Sequence, residues 1–236
     1  MRTSKGKDHK EEKLDTRLFV KAITRFLAGL LIVGGLLFIS AGTFVYWQAW
    51  LLIGILFIPM FIAGLVMMKR SPDLLRKRLN VKEEQNEQKT VILLSGIMFL
   101  AAFILAGLTV RFDWMVLPAG VSFAAAAVFV LGYILYAEVL RENAYLSRTV
   151  EVQENQKVID TGLYGVVRHP MYMCTLLLFL AMPLILGSVI SFVIMLAYIP
   201  IIARRIRNEE QVLEEGLEGY KEYKQKVRYK VIPFVW

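Results

Sequence analysis

Apolar residues run along this chain in long blocks, with the charges gathered between them. Residues 26–47, 49–68, 90–110, 114–137 and 171–203 contain no Asp, Glu, Lys or Arg. About 20 consecutive apolar residues cross a bilayer core as a helix, so each of the first four blocks predicts one membrane helix. The fifth has 33 residues. As a single helix it would be about 50 Å long, against roughly 30 Å of hydrocarbon. Its middle holds Pro183, Gly187 and Ser188, which break helices and form turns. The block therefore predicts a tight helical hairpin with arms at 171–186 and 189–205, both short for full spans. The second arm is expected to continue past the membrane surface toward Glu210. Beyond it, Leu213, Leu217, Tyr220 and Tyr223, with Val227 further on, are spaced by threes and fours, the pattern of an amphipathic helix. That helix would lie in the interface or cap a site. The expected fold is an all-α integral membrane protein with about six transmembrane helices, the last two forming the hairpin, and a C-terminal amphipathic helix.

Charge assigns the sides. The net charge is +8, and 27 of the 28 Lys and Arg residues fall in the N-terminal segment, in the connection after the second apolar block, between residues 138 and 170, or after residue 203. The exception is Arg111. The positive-inside rule then puts both termini and all these segments in the cytoplasm. The basic balance reflects topology, and nucleic-acid binding is not needed to explain it. The charged first 25 residues, followed by a long apolar block, fit a signal-anchor helix better than a cleaved signal. With 57% hydrophobic residues and one Cys, Cys174, the chain is neither a soluble domain nor a disulfide scaffold. No Asp, Glu, Lys, Arg or His interrupts the apolar blocks, which disfavours a pump or an ion-coupled transporter. Trp47-Gln48-Ala49-Trp50 reads as an aromatic anchor at a turn between the first two helices. The glycines at 29–35 and Gly107 read as close helix packing.

By elimination, polar chemistry belongs to two cytoplasmic segments at the two ends of the hairpin, residues 153–172 and 204–223. A hairpin returns its ends to one side, so these segments should meet. In the first, Gly162 and Gly165 mark a turn. Arg168-His169-Pro170 stands at the start of a helix, where Pro is favoured and free N–H groups suit an anion. Tyr172 shares the opening turn with His169. In the second segment, Arg205 and Glu209 are four residues apart on one helix face, and Glu210 follows. Each feature also has a plain structural explanation: a basic interfacial anchor, a solvated ion pair, or packing for Tyr220 and Tyr223. Taken together they suit a zwitterionic amino acid that also bears a cation, such as S-adenosylmethionine. Its carboxylate would meet the helix start, its amino group Glu, and its sulfonium an aromatic face. No G-x-G-x-x-G follows a strand, and no H-E-x-x-H or Cys/His cluster occurs, so a Rossmann fold and a metal site are not expected.

The run from Gly162 to Tyr172 (GLYGVVRHPMY), an apolar hairpin, then Glu209-Glu210, Leu213, Gly219-Tyr220, Tyr223 and Pro233, resembles the isoprenylcysteine carboxyl methyltransferases. The related phospholipid N-methyltransferases share the paired Glu and the hairpin. The resemblance covers the last 100 residues or so; over the first 90 it is one of hydropathy alone. It implies an integral-membrane methyltransferase using S-adenosyl-L-methionine, with a lipidic or prenylated methyl acceptor. Gln153, Val158, Ile159, Tyr164, His169, Pro170, Tyr172, Glu209 and Glu210 would bind the cofactor. Arg205 and Glu209 would be the catalytic pair, with Arg205 facing the substrate carboxylate. Cys174 stands where many members of the family have Gly. On this reading the chain divides into a basic cytoplasmic segment (1–25), a four-helix membrane region (26–137) and a cofactor-binding and catalytic region (138–236).

A carboxylate acceptor is already ionised at neutral pH, so methyl transfer to it needs positioning and partial desolvation rather than a base. An amine acceptor would have to lose a proton first. A phospholipid or amine N-methyltransferase, a nicotinamide-dependent reductase of steroid-reductase-like architecture and a non-catalytic scaffold are the alternatives.

Overall fold

The computed structural model describes residues 4–79, 86–143, 145–146 and 152–236. They form nine α-helices and one short 3-10 turn, and their only β pairing is an isolated bridge between Val116 and Ser188. Five segments are long and apolar enough to cross a membrane: Thr16–Ala41, Trp47–Arg70, Lys89–Phe112, Ala119–Glu142 and Val189–Gly216. The expected fifth, the first hairpin arm α6 (Pro170–Ile185), has only 16 residues. At 1.5 Å per residue it reaches about 24 Å, less than the hydrocarbon thickness. This is a multi-pass, all-helical membrane protein.

Helix α1 runs from Ser4 to Ala41 without a break, so the basic segment and the first apolar block are one element. No Pro interrupts it, and its polar half is rich in the good helix formers Lys, Glu and Leu. The connection to α2 (Trp47–Arg70) is residues 42–46, not the Trp47–Trp50 stretch, which forms the opening turn of α2. Both Trp side chains remain exposed, and Trp50 Nε1 donates to Phe44 O at 2.9 Å. The short helix α3 (Pro72–Leu79), not anticipated from the apolar pattern, opens on Pro and carries Asp73 in its first turn, a favourable start for any helix.

Helix α4 (Asn86–Phe112) packs on α1 through Gly107. A Cβ there would lie 2.7 Å from Leu37 O and 2.8 Å from Ala41 N, so the two backbones touch. Gly29, Gly34 and Gly35 meet only ordinary side-chain contacts.

Helix α5 (Ala119–Glu142) lies against α6. After α6, Gly187 takes φ +75 and the Ser188 side chain caps α7 (Val189–Met195) by accepting from Ser191 N. The turn is buried. Ser188 Oγ and Thr109 Oγ1 are 2.8 Å apart, and Leu117 N donates to Gly187 O at 2.9 Å. Tyr46 Oη also donates to Leu186 O at 2.7 Å. Thus the connections at 42–46 and 113–118 and the hairpin turn gather at one end of the bundle, covering the short α6.

The second hairpin arm is broken. Helix α7 ends at Met195 and α8 runs Tyr198–Gly216. Pro200 supplies the reason. It has no N–H for Leu196 O, so that carbonyl accepts from Ile199 N at 3.1 Å, three residues on. The amphipathic pattern after Glu210 is also two helices. Gly219, at φ +81, separates α8 from α9 (Tyr220–Lys226). Leu217, Tyr220, Tyr223 and Val227 fold back on Val152, Val158 and Leu213, so α9 caps the bundle end.

Candidate functional site

Both polar segments lie at the end of the bundle away from the hairpin turn. Pro170 is the first residue of α6 and His169 its N-cap. The backbone N–H groups of Arg168 and His169 are satisfied by the C-terminal tail, donating to Tyr229 O at 2.9 Å and Lys230 O at 2.8 Å. Arg168 is buried and clamps the same tail. Its Nη1 donates to Val227 O at 2.7 Å and Arg228 O at 2.8 Å, and its Nε to Glu210 Oε1 at 2.8 Å. Lys230 Nζ lies 3.0 Å from Glu210 Oε2, and His169 Nε2 lies 3.3 Å from Glu210 Oε1. Glu210 is therefore the buried counter-ion that joins α8, the α6 start and the tail.

Glu209 faces the other way. It accepts a hydrogen bond from Tyr172 Oη, and its Oε1 is 3.9 Å from His169 Nδ1. Arg205 Nε donates to Tyr172 Oη at 2.9 Å. The rings of His169 and Tyr172 stack with centroids 5.7 Å apart. Arg205, Tyr172, Glu209 and His169 thus form one connected polar array.

This array is one wall of a cleft with about 850 Å³ of space between its sides, part of it open to solvent. Val158, Ile159, Tyr164, His169, Pro170, Tyr172, Arg205 and Glu209 line it together. Two expected residues do not line it. Gln153 sits behind Tyr145, donating to the Tyr145 carbonyl, and Glu210 is turned into the clamp. Cys174 also lies outside the cleft, buried with Val139 and Tyr164, so its side chain has room where many relatives of the resembled family carry Gly.

The cleft includes residues that were not expected to bind the cofactor. Asn143, just past α5, donates from Nδ2 to Tyr164 Oη at 2.8 Å and fixes that ring. Gln156, Lys157, Val212, Leu213 and Leu217 add to the walls, as do Tyr220 and Tyr223. The threefold spacing of Tyr220 and Tyr223 was the available signal, and it reads equally as packing. Tyr223 Oη donates to Tyr164 O at 2.7 Å. Burial pushes the Tyr164 and Tyr223 hydroxyls above their ordinary value, so both are protonated donors at physiological pH.

Among the described residues no group of three or more His, Cys, Asp or Glu side chains is arranged to hold a metal ion. The fold is that of a multi-pass helical membrane protein with a cleft lined by both polar and apolar side chains at one end. The sequence model of the phospholipid methyltransferase family matches residues 121–218, from the first turn of α5 to just past α8. That span holds every residue expected in the site. The chain is also 29% identical over 91 residues to the Delta(14)-sterol reductase of Mus musculus, covering 37% of this chain and 22% of that protein. The matched stretch spans about a fifth of the length of that curated relative. The family match supports a membrane methyltransferase.

Proposed function

We propose that the protein is an S-adenosylmethionine-dependent methyltransferase whose acceptor is a lipidic or isoprenoid carboxylate. The observation that carries this is the pairing of Arg205 and Glu209 in one cleft wall, joined through Tyr172. The cleft suits the two halves of the cofactor. Glu209 would take its ammonium group, and the apolar side formed by Val158, Leu213 and Leu217 would take a flat heterocycle. Bound there, the cofactor would supply an electrophilic methyl group. The chain's own task is to bind, orient and exclude water. Arg205, one turn closer to the apolar part of α8 than Glu209, would hold the acceptor carboxylate by a charge-assisted fork, with its Nε kept in place by Tyr172. The acceptor's tail would remain among the bundle's apolar helices. Charge patterning supports a cytoplasmic cleft.

The test is transfer of labelled methyl to a panel of prenylated and lipid acids and amines. Arg205→Lys should lower turnover about ten- to a hundredfold, the worth of a charged hydrogen bond, with S-adenosylhomocysteine affinity within about twofold. The pH profile should be flat from neutral to mildly alkaline. A rate that climbs tenfold per pH unit, with Arg205→Lys harmless, means an amine acceptor, the second reading that the phospholipid methyltransferase match favours. The likeness to a sterol reductase supports a nicotinamide-dependent alternative. Binding of NADPH in place of S-adenosylhomocysteine would establish it. For sidedness, cysteines introduced at Val45 and Asp113 in a Cys174→Ser background should label from outside. One at Asn155 should not.

A further inference from the structure

Tyr220 opens α9 and is 4% exposed. It lines the cleft beside Tyr223, with ring centroids 5.7 Å apart. The other buried tyrosines have hydroxyl partners inside the protein: Tyr46 donates to Leu186 O, Tyr172 to Glu209, Tyr198 to Thr175 Oγ1 and Tyr223 to Tyr164 O, while Tyr164 accepts from Asn143 Nδ2. Tyr220 Oη has no hydrogen-bond partner among the described residues. Only Glu142 Oε2 shares that condition there; it lies away from the cleft, and its companion oxygen accepts from Thr161. A buried hydroxyl left unmet is destabilising, so its place in a cleft wall calls for a partner that the described residues do not provide.

Its surroundings narrow the partner. Tyr220 packs with Leu217, Tyr223, Val158 and Leu213, the apolar side of the cleft. The charged array of Arg205, Glu209 and His169 adjoins that side, since Glu209 lies one turn before Leu213 on the same face of α8. Resting on the function proposed above, we propose that Tyr220 Oη donates a hydrogen bond to an acceptor on the nucleoside portion of the S-adenosyl ligand. Burial, and after it the charges of Glu210 and Glu209, hold the hydroxyl above its ordinary value, so it is a donor throughout the working pH range. Tyr220 lies two residues beyond the stretch that matches the phospholipid methyltransferase family, so this contact belongs to the C-terminal cap.

The experiment compares full-length wild-type protein with Tyr220→Phe. Without ligand, Tyr220→Phe should melt at the same temperature as wild type or higher, since an unmet hydroxyl is removed. Tyr223→Phe, which takes the partner from Tyr164 O, should melt lower. By calorimetry, S-adenosylhomocysteine should bind Tyr220→Phe about tenfold more weakly than wild type, the usual worth of one hydrogen bond. Methylthioadenosine, which lacks the amino-acid end, should lose the same factor in competition. Unchanged affinity for both probes overturns the proposal, and a loss confined to S-adenosylhomocysteine overturns the nucleoside assignment. Should wild type bind no S-adenosylhomocysteine, the methyltransferase reading itself fails, whereas wild-type binding with an unaltered variant sinks only the role of Tyr220.

Discussion

The α1–α2 half of the bundle and the α6–α9 half bury their residues in opposite ways. On the first, apolar side chains point away from the protein: Leu31 is 74% exposed, Ile39 79% and Val45 90%. Lipid is their solvent, so little is gained by packing them inward, while α1 is held to α4 by close backbone approach at Gly107. In the second half, Arg168, His169 and Glu210 are buried, each held by named partners. There the stability is directional. A lipid-facing position tolerates many side chains, whereas a clamp position tolerates almost none. Arg168, His169 and Glu210 all fall within the residues, 121–218, that match the phospholipid methyltransferase family model.

Substitutions at the two kinds of position should separate widely. The largest expected effect is at Arg168. Arg168→Met leaves Glu210 short of its closest partner and strips two tail carbonyls, a loss of about 3–5 kcal/mol for breaking a buried ion pair. Thermal unfolding in detergent should show a melting temperature well below wild type, with cofactor-analogue binding abolished. A wild-type melting curve would mean that the clamp carries no stability.

A matched pair in the apolar half gives the smaller effects. Gly107→Ala forces a methyl against two backbone atoms under 3 Å away and should cost about 1–3 kcal/mol, read by the same melting assay. Leu31→Ala, on the lipid face, should change stability by less than about 0.5 kcal/mol. Equal losses at Gly107 and Leu31 would erase the contrast between packing and lipid contact.

Much of this was legible from one dimension. Hydropathy marked every long helix, because in hydrocarbon each backbone must satisfy itself locally. It marked the hairpin through Pro183, Gly187 and Ser188, but missed the break before α8, since Pro200 is an unremarkable member of an apolar run until its missing N–H is set against Leu196. It merged α8 and α9, because a spacing of threes and fours continues across Gly219 while the backbone turns.

What the sequence by itself determined was the number of apolar segments, the end of the bundle that carries the charge, and the two motifs that had to share it. Those follow from local transfer energies and from the geometry of a hairpin, which need no knowledge of neighbours. Only the tertiary structure decided which of two adjacent residues faces the cleft. Glu209 and Glu210 are chemically identical and about 100° apart around one helix, yet one joins the cleft array and the other is locked to Arg168 and Lys230. Tyr220 and Tyr223 divide in the same way, one hydroxyl satisfied by Tyr164 and the other without a partner among the described residues. Those assignments depend on what α6 and the C-terminal tail bring alongside, and that is set by packing across the fold rather than by spacing along the chain.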